Sequence, residues 1–455
     1  MENMSICPLD SRYLDEIKDI ADIWNEDNVL WEKLQVEIQY LQALVESRPN
    51  KIGNNQKLML DYIAETFKIN QETDEYRNLV LKEIRTIEKT TKHEIKAIEY
   101  FMRQELIIEE IGGQSKIGKI GSQLANYVHF GLTSEDIISI TNSRLIQLSY
   151  NVINFNIHKI HEIFDKFGGV SDCAMAARTH GQLAIPTSFY KQLENYRYRL
   201  NFISTDTNPI IYCKMGGAIG DLYSLKLVDP EFKWEAFFDD FCSGLGLQRL
   251  DNTTQVDNGL SYNHILHSMN QVCRILIDFC QDMWQYHSYS YFVRKKVDGE
   301  IGSSTMPQKI NPIKFENAEG NAKIASMWFN FLMNELPVSR MQRDLSGSTI
   351  MRNLGVPFGY MLVSIKNILT GMKNLEISRE HMQADLIHNH EMIFEYIQLL
   401  LKDNGYPKAY ELFNNNFAKR QSISRNELIE FIDNLQIESS LKDKIRDFDI
   451  TKINQ

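Results

Sequence analysis

The chain is short of the features that mark several large classes of protein. Its six cysteines (Cys7, Cys173, Cys213, Cys242, Cys273 and Cys280) are scattered without CxxC spacing. That disfavours a disulfide scaffold and a zinc cluster, and it fits a reducing compartment. Positive charge is in deficit, with 49 Lys and Arg against 60 Asp and Glu and a net charge of −11. A nucleic-acid binder relying on bulk positive charge is therefore disfavoured. An anionic small substrate stays open, because a local basic pocket can oppose the overall sign. No uncharged apolar run approaches membrane-spanning length. The first residues, MENMSICPLDSRY, place no basic stretch ahead of an apolar one, so no signal peptide is expected and the expected location is the cytosol. Polar low-complexity tracts, Gly/Ser linkers and internal repeats are missing, and a hydrophobic share of 43% allows a real core. The length of 455 residues accommodates two or three domains or one extended assembly.

Proline and glycine are absent over long stretches. No proline lies between Pro49 and Pro186, and Glu135 to Phe167 holds neither residue, while Leu145, Leu148, Val152 and Phe155 recur at helical spacing. A helix of that length would span about 50 Å. Leu260 to Asp298 is a second such stretch, bounded by Gly259 and Gly299, and a third helix is expected from Pro312 to Leu336, ahead of Pro337. These lengths exceed those of ordinary globular helices and predict an all-α, extended bundle. Apolar positions fall on more than one face, which predicts burial on several sides and hence oligomerisation. Strand signals are few, at Met175 to Pro186 and Ile211 to Gly220. Soft boundaries at the Gly112-Gly113 pair and near Ile365 divide the chain into residues 1–112, 113–365 and 366–455. Ser424 and Glu427 have the spacing of a capping box.

Against this background one string stands out, GSSTMPQKINP from Gly302 to Pro312. Asn311 and Pro312 read as the N-cap and first position of a helix, since proline lacks only a donor that would be orphaned there. A loop carrying Ser303, Ser304 and Lys309 thus feeds a helix start, where developing charge can be stabilised. Residues 178–182 read RTHGQ. Taken alone, His180 is more often structural than catalytic. Residues 133–136 read TSED, a helix N-cap followed by acids, and the same exposed N–H groups and hydroxyls can hold a carboxylate. His93 lies in TTKHE and His129 in HFGLTSED, and each is also open to a structural reading. Glu316 stands seven residues beyond Lys309, a favourable place for an acid near a helix N-terminus. His264 and His267, in HILH, share one face of a core helix rather than forming a metal site.

GSSTMPQKINP resembles the signature G-S-S-x-M-P-x-K-x-N-P of the aspartase/fumarase superfamily, matching every fixed position. RTHGQ followed by A-x-P, and HFGLTSED, are similar to two further regions of that superfamily. The resemblance implies a three-domain, all-α fold around a central long-helix bundle completed by tetramerisation. It implies a cofactor-free, metal-free β-elimination that releases fumarate. Ser303 would be the base, Lys309 and Asn311 would stabilise the doubly charged intermediate, and His180, partnered by Glu316, would protonate the leaving group. Thr133, Ser134 and His93 would contact substrate.

Members of the superfamily differ in what leaves. DSRY at 10–13, TTQ at 253–255 and SRMQRDLSGSTIMR at 339–352 are similar to the adenylosuccinate lyase family in its bacterial form, and the resemblance covers nearly the whole chain. Any one arginine there reads as solvated surface charge, but Arg12, Arg343 and Arg352 with Ser348 would make a phosphate cradle, since guanidinium binds phosphate in bidentate fashion. The resemblance implies that Arg12 and Tyr13 hold the nucleotide, Gln255 the succinyl end, and Arg343, Ser348 and Arg352 the phosphate. It implies purine-pathway nucleotide substrates, namely adenylosuccinate and the succinylated aminoimidazole carboxamide ribotide, a homotetramer, and neither nucleic-acid nor membrane partners. The chain departs from the family at Glu94, where His-Asp is common, at Gly216 of GGAIG, and at residues 256–259. Two alternatives stay open: another fumarate-releasing lyase of the argininosuccinate lyase kind, and a non-catalytic helical scaffold.

Overall fold

The computed structural model describes residues 5–52, 55–69, 71–107, 116–167, 174–204, 209–257, 259–294, 306, 309–418, 420 and 422–452. The fold is all-α. Strands appear among the described residues only as three two-stranded sheets. The longest helices are Glu26–Ser47, Ser134–Asp165, Leu260–Ser288 and Ile313–Glu335, with Gly355–Lys373 after them. No helix among the described residues is long and apolar enough to cross a membrane.

Local signals explain where these helices begin and end. Asn25 caps the Glu26–Ser47 helix by accepting from the Asn28 amide at 2.8 Å, with Glu26 and Asp27 in its first turn. Leu34, Ile38, Leu41, Leu44 and Val45 make up its buried stripe. Thr73 caps Asp74–Thr91, which ends on Lys92 in the left-handed region at φ 52. The expected helix from Pro312 opens one residue later, with the Pro312 carbonyl already accepting the Glu316 amide. The expected helix from Leu260 to Asp298 is shorter than its sequence suggests. It stops at Ser288, where Ser290 takes φ 59 and the Tyr291 amide donates back to the Tyr286 carbonyl at 3.0 Å. That left-handed termination uses a serine where glycine is usual. The strand Phe292–Arg294 follows and pairs with Leu375–Ile377.

The chain divides into two compact units. The first gathers Met1–Asn154, Asp206–Cys273 and Lys323–Val363. Its core includes an aromatic cluster in which Tyr40 meets Phe237, Phe238 and Phe241 with ring centroids 5.6–6.2 Å apart. Arg48 is buried beside Asp229, its guanidinium 4.7 Å from the Trp234 ring centre. Cys213 and Cys242 are buried with their sulfurs 3.4 Å apart.

The second unit gathers Phe155–Thr205, Arg274–Ala322 and Ser364–Gln455. Phe279 is central to it, edge-on to Phe315 and Tyr196 and tilted against Phe164. Short helices after Arg379 build a further cluster from Leu386, Ile397, Phe413, Phe417, Ile432 and Ile445, onto which Ala174 and Ala176 pack. The Ser424–Glu427 capping box is formed. Cys280 is buried on its helix, and burial pushes its thiol well up. The expected boundary at residue 112 lies outside the described residues.

Candidate active site

In the second unit RTHGQ forms the tip of a hairpin. Strands Ala174–Thr179 and Gln182–Ser188 pair antiparallel with Thr179 opposite Gln182. His180 and Gly181, at φ 53 and 74, make the two-residue connection. Both angles are positive, as a type I′ turn requires. His180 is thus presented outward at a defined point, and among the described residues its side chain has no partner. The root of the turn is fixed by Arg178, which pairs with Asp385 at 2.8 Å, donates to the Tyr291 hydroxyl at 3.1 Å and lies 4.0 Å from the Tyr289 ring centre. Lys309 is exposed and Asn311 half-buried ahead of the Ile313–Glu335 helix. Glu316, in that helix's first turn, accepts from the Trp284 indole at 3.2 Å. Ser303 and Ser304 lie outside the described residues.

The remaining expected contacts are in the first unit. Thr133 and Ser134 are half-buried at the N-terminus of the Ser134–Asp165 helix. Among the described residues neither hydroxyl makes a hydrogen bond, which leaves the terminus open to an anion. Glu135 is 3% exposed and pairs with Arg343 at 2.8 Å. The other branch of the Arg343 guanidinium donates to Gln255 Oε1 at 2.9 Å. Arg343 and Gln255, expected at the phosphate and succinyl ends, are therefore hydrogen-bonded to each other. Both Arg343 and Ser348 line a small cleft open to solvent, which Glu135, Asp257 and Tyr262 also line. Burial raises the carboxyl pKa of Glu135 despite the opposing pull of Arg343, and burial also raises that of Asp257.

Arg12 and Arg352 are exposed and Tyr13 half-buried, and no contact joins Arg12 or Arg352 to Arg343 in this chain. His93 takes the structural option, its Nδ1 accepting from the Lys96 amide at 3.2 Å to cap the Glu94–Ile107 helix, and its Nε2 stays available. Glu94 pairs with Lys33. His129 pairs with Glu37 at 2.5 Å, near Glu99 and Asp136. His264 donates to the Ile210 carbonyl at 2.6 Å.

Two further residues did not emerge from the sequence. Asp136 and Lys214 form an ion pair at 2.6 Å with side chains 0% exposed. An acid in a helix's first turn and one lysine among many give no signal of burial. Their partnership spans 78 residues. At Gly216, where the chain departs from the family, the backbone amide donates to Asp136 Oδ1 at 2.8 Å.

The sequence aligns with known proteins over nearly its full length. The family described as "Lyase" matches residues 12–325, and "Adenylosuccinate lyase C-terminal" matches 339–453. The adenylosuccinate lyase of Dictyostelium discoideum is 33% identical over 97% of this chain and 94% of its own length. The chain belongs to the adenylosuccinate lyase family. The Escherichia coli K12 member is likewise 33% identical, over 97% of this chain and 94% of its own. The family's fold extends to more distant structures. The β-carboxy-cis,cis-muconate cycloisomerase of Acinetobacter calcoaceticus superposes with a TM-score of 0.67 at 14% identity, covering 96% of this chain and 95% of its own. The fumarate lyase of Mesorhizobium gives 0.65 at 14%, covering 94% and 93%.

Proposed function

We propose that this chain is an adenylosuccinate lyase in activity as well as in family. It splits adenylosuccinate to AMP and fumarate, and splits the succinylated aminoimidazole carboxamide ribotide in the same way. The observation that carries this reading is 33% identity to adenylosuccinate lyases across 97% of the chain, with the whole GSSTMPQKINP signature retained.

The reaction is a β-elimination. Ser303 removes the proton from the carbon next to a carboxylate, leaving an aci-carboxylate with two negative charges. Lys309 and Asn311 stabilise that charge. The C–N bond then breaks, its electron pair stays on nitrogen, and His180 delivers the proton that makes the amine a leaving group. No metal or organic cofactor has a step in this sequence. Thr133 and Ser134, with open hydroxyls at a helix N-terminus, take a substrate carboxylate. Gln255 holds the succinyl end beside them, and Arg343 with Ser348 takes phosphate, joined by Arg352, Arg12 and Tyr13. His93 contributes through its free Nε2.

The assembly is a cytoplasmic homotetramer with each site drawn from several subunits. Its support is apolar surface on the long helices: Phe155 and Met327 are 62 and 58% exposed, more than a lone chain would leave to water. The partnership of His180 and Glu316 belongs to that assembly and forms between subunits. The three-part division at residues 112 and 365 accompanies this reading.

The test is the ultraviolet change on adding adenylosuccinate to purified protein, with fumarate measured independently. Release of fumarate and AMP is expected. A folded protein that yields no fumarate from either succinylated nucleotide would refute the reading, and turnover of a phosphate-free succinyl amine instead would point to the argininosuccinate lyase alternative.

A further inference from the structure

The buried pair of Asp136 and Lys214 is the centre of a chain of hydrogen bonds that an ion pair between Arg343 and Glu135 closes into a ring. Asp136 Oδ2 accepts from the Thr133 amide at 2.7 Å. Asp136 Oδ1 accepts from Lys214 Nζ at 2.6 Å and from the Gly216 amide at 2.8 Å, and the Gly217 amide lies 3.2–3.3 Å from both oxygens. Lys214 Nζ also donates to the Gly217 carbonyl at 2.6 Å. The loop continues to Ala218, whose carbonyl accepts from Gln255 Nε2 at 3.0 Å. Gln255 Oε1 then accepts from Arg343, and Arg343 returns to Glu135, the residue next to Asp136. The ring thus starts and ends on one turn of one helix.

Burying both charges is costly, and a hydrophobic pair of similar volume often stabilises a core as well or better. Stability is therefore a weak reason for this pair. Geometry is a stronger one, because a buried carboxylate whose two oxygens both accept hydrogen bonds, as those of Asp136 do, is held in one arrangement. We propose that Asp136 and Lys214 are positioning residues for the elimination. Their pair holds the Thr133–Ser134 helix terminus and Gln255 at a fixed distance from Arg343, and so sets the spacing between the carboxylate and phosphate ends of the substrate. This rests on the lyase reading above.

The test uses Asp136→Asn in the full-length protein. Asparagine keeps the shape but turns one acceptor into a donor. That donor must face the Thr133 amide on one side or Gly216 and Lys214 on the other, so the ring opens either way. Two quantities are read: steady-state kinetics with adenylosuccinate, and the rise in melting temperature caused by AMP. The variant, folded by circular dichroism, should raise KM on the order of tenfold with a smaller fall in kcat. It should also lose most of the AMP-induced rise.

Asp229→Asn, which removes the charge from a separate buried pair with Arg48, should lower the melting temperature and leave KM unchanged. If Asp136→Asn does not fold, Lys214→Gln replaces it, with the same direction expected. Wild-type protein that releases fumarate while folded Asp136→Asn keeps its KM and its AMP response would overturn the positioning role and leave the lyase reading standing. Failure of both variants to fold would assign the pair to the core alone, and that also overturns it. Wild-type protein without fumarate release or AMP response would instead remove the lyase reading itself.

Discussion

A side chain's setting decides its chemistry, and His129 shows how opposed effects are weighed. Burial disfavours its charge, but Glu37 foremost, then Glu99 and Asp136, outweigh burial and lift its pKa above the ordinary 6.5. A histidine with a raised folded pKa contributes stability that is whole below pH 6.5 and is lost as pH climbs through the folded value. Melting temperature followed from pH 6 to 9 should therefore fall more steeply in wild type than in His129→Gln. The variant should be the less stable at pH 6 and the two should converge at high pH, whereas parallel curves would place the pH dependence elsewhere. Residues in a fixed string, such as His180 and Lys309, stand out in the sequence because the motif names them. Asp136 does not. It sits in TSED as an ordinary first-turn acid, and only a lysine 78 positions away turns it into a buried hub. Glu316 was legible as an acid near a helix start, but not its contact with Trp284.

Among the elements, the loop 216–220 works by close approach. Gly220 takes φ 86, and a Cβ there would lie 2.1 Å from the Thr253 carbonyl oxygen, two residues before Gln255. Gly220→Ala should cost on the order of 2 kcal/mol or more, from backbone strain together with the clash. Gly244→Ala, whose Cβ would meet nothing within 4 Å, should change little. Urea unfolding of both variants checks the contrast, and equal midpoints would mean that the loop yields freely. The long helices were legible because apolar spacing over tens of residues has few alternative explanations. Their ends were less so. Nothing between Leu260 and Gly299 breaks a helix by composition, yet the chain leaves it at Ser290, because a three-residue strand finds its partner at Leu375–Ile377. Pairings that short and that distant leave no local trace. The 174–188 hairpin was easier, since Met175 to Pro186 is extended in pattern and His180-Gly181 is short enough to be its turn.

At the scale of the whole molecule, the proposed assembly would draw each site from neighbouring subunits. His180→Ala and Ser303→Ala should each lower turnover ~10²-fold or more without unfolding the protein. If RTHGQ and GSSTMPQKINP at one site come from different subunits, mixing the two inactive proteins under conditions of subunit exchange should restore part of the activity. Some mixed sites would then carry both intact residues. Exchange verified by mass spectrometry with no recovery would mean that the motifs meet within one chain, and a monomer in sedimentation would remove shared sites altogether. The sequence bears on this scale only through helices apolar on several faces; which faces would meet is a property of an assembled surface and not of any one segment.

The thiols have a use of their own. Cys7 is half-buried, whereas Cys213 and Cys242 are sealed in the first unit and Cys280 in the second. A sealed thiol with a raised pKa reacts only when the structure around it parts. Under native conditions, alkylation followed cysteine by cysteine is a pair of clocks built into the chain. One times the breathing of the first unit and the other that of the second, with Cys7 marking the start.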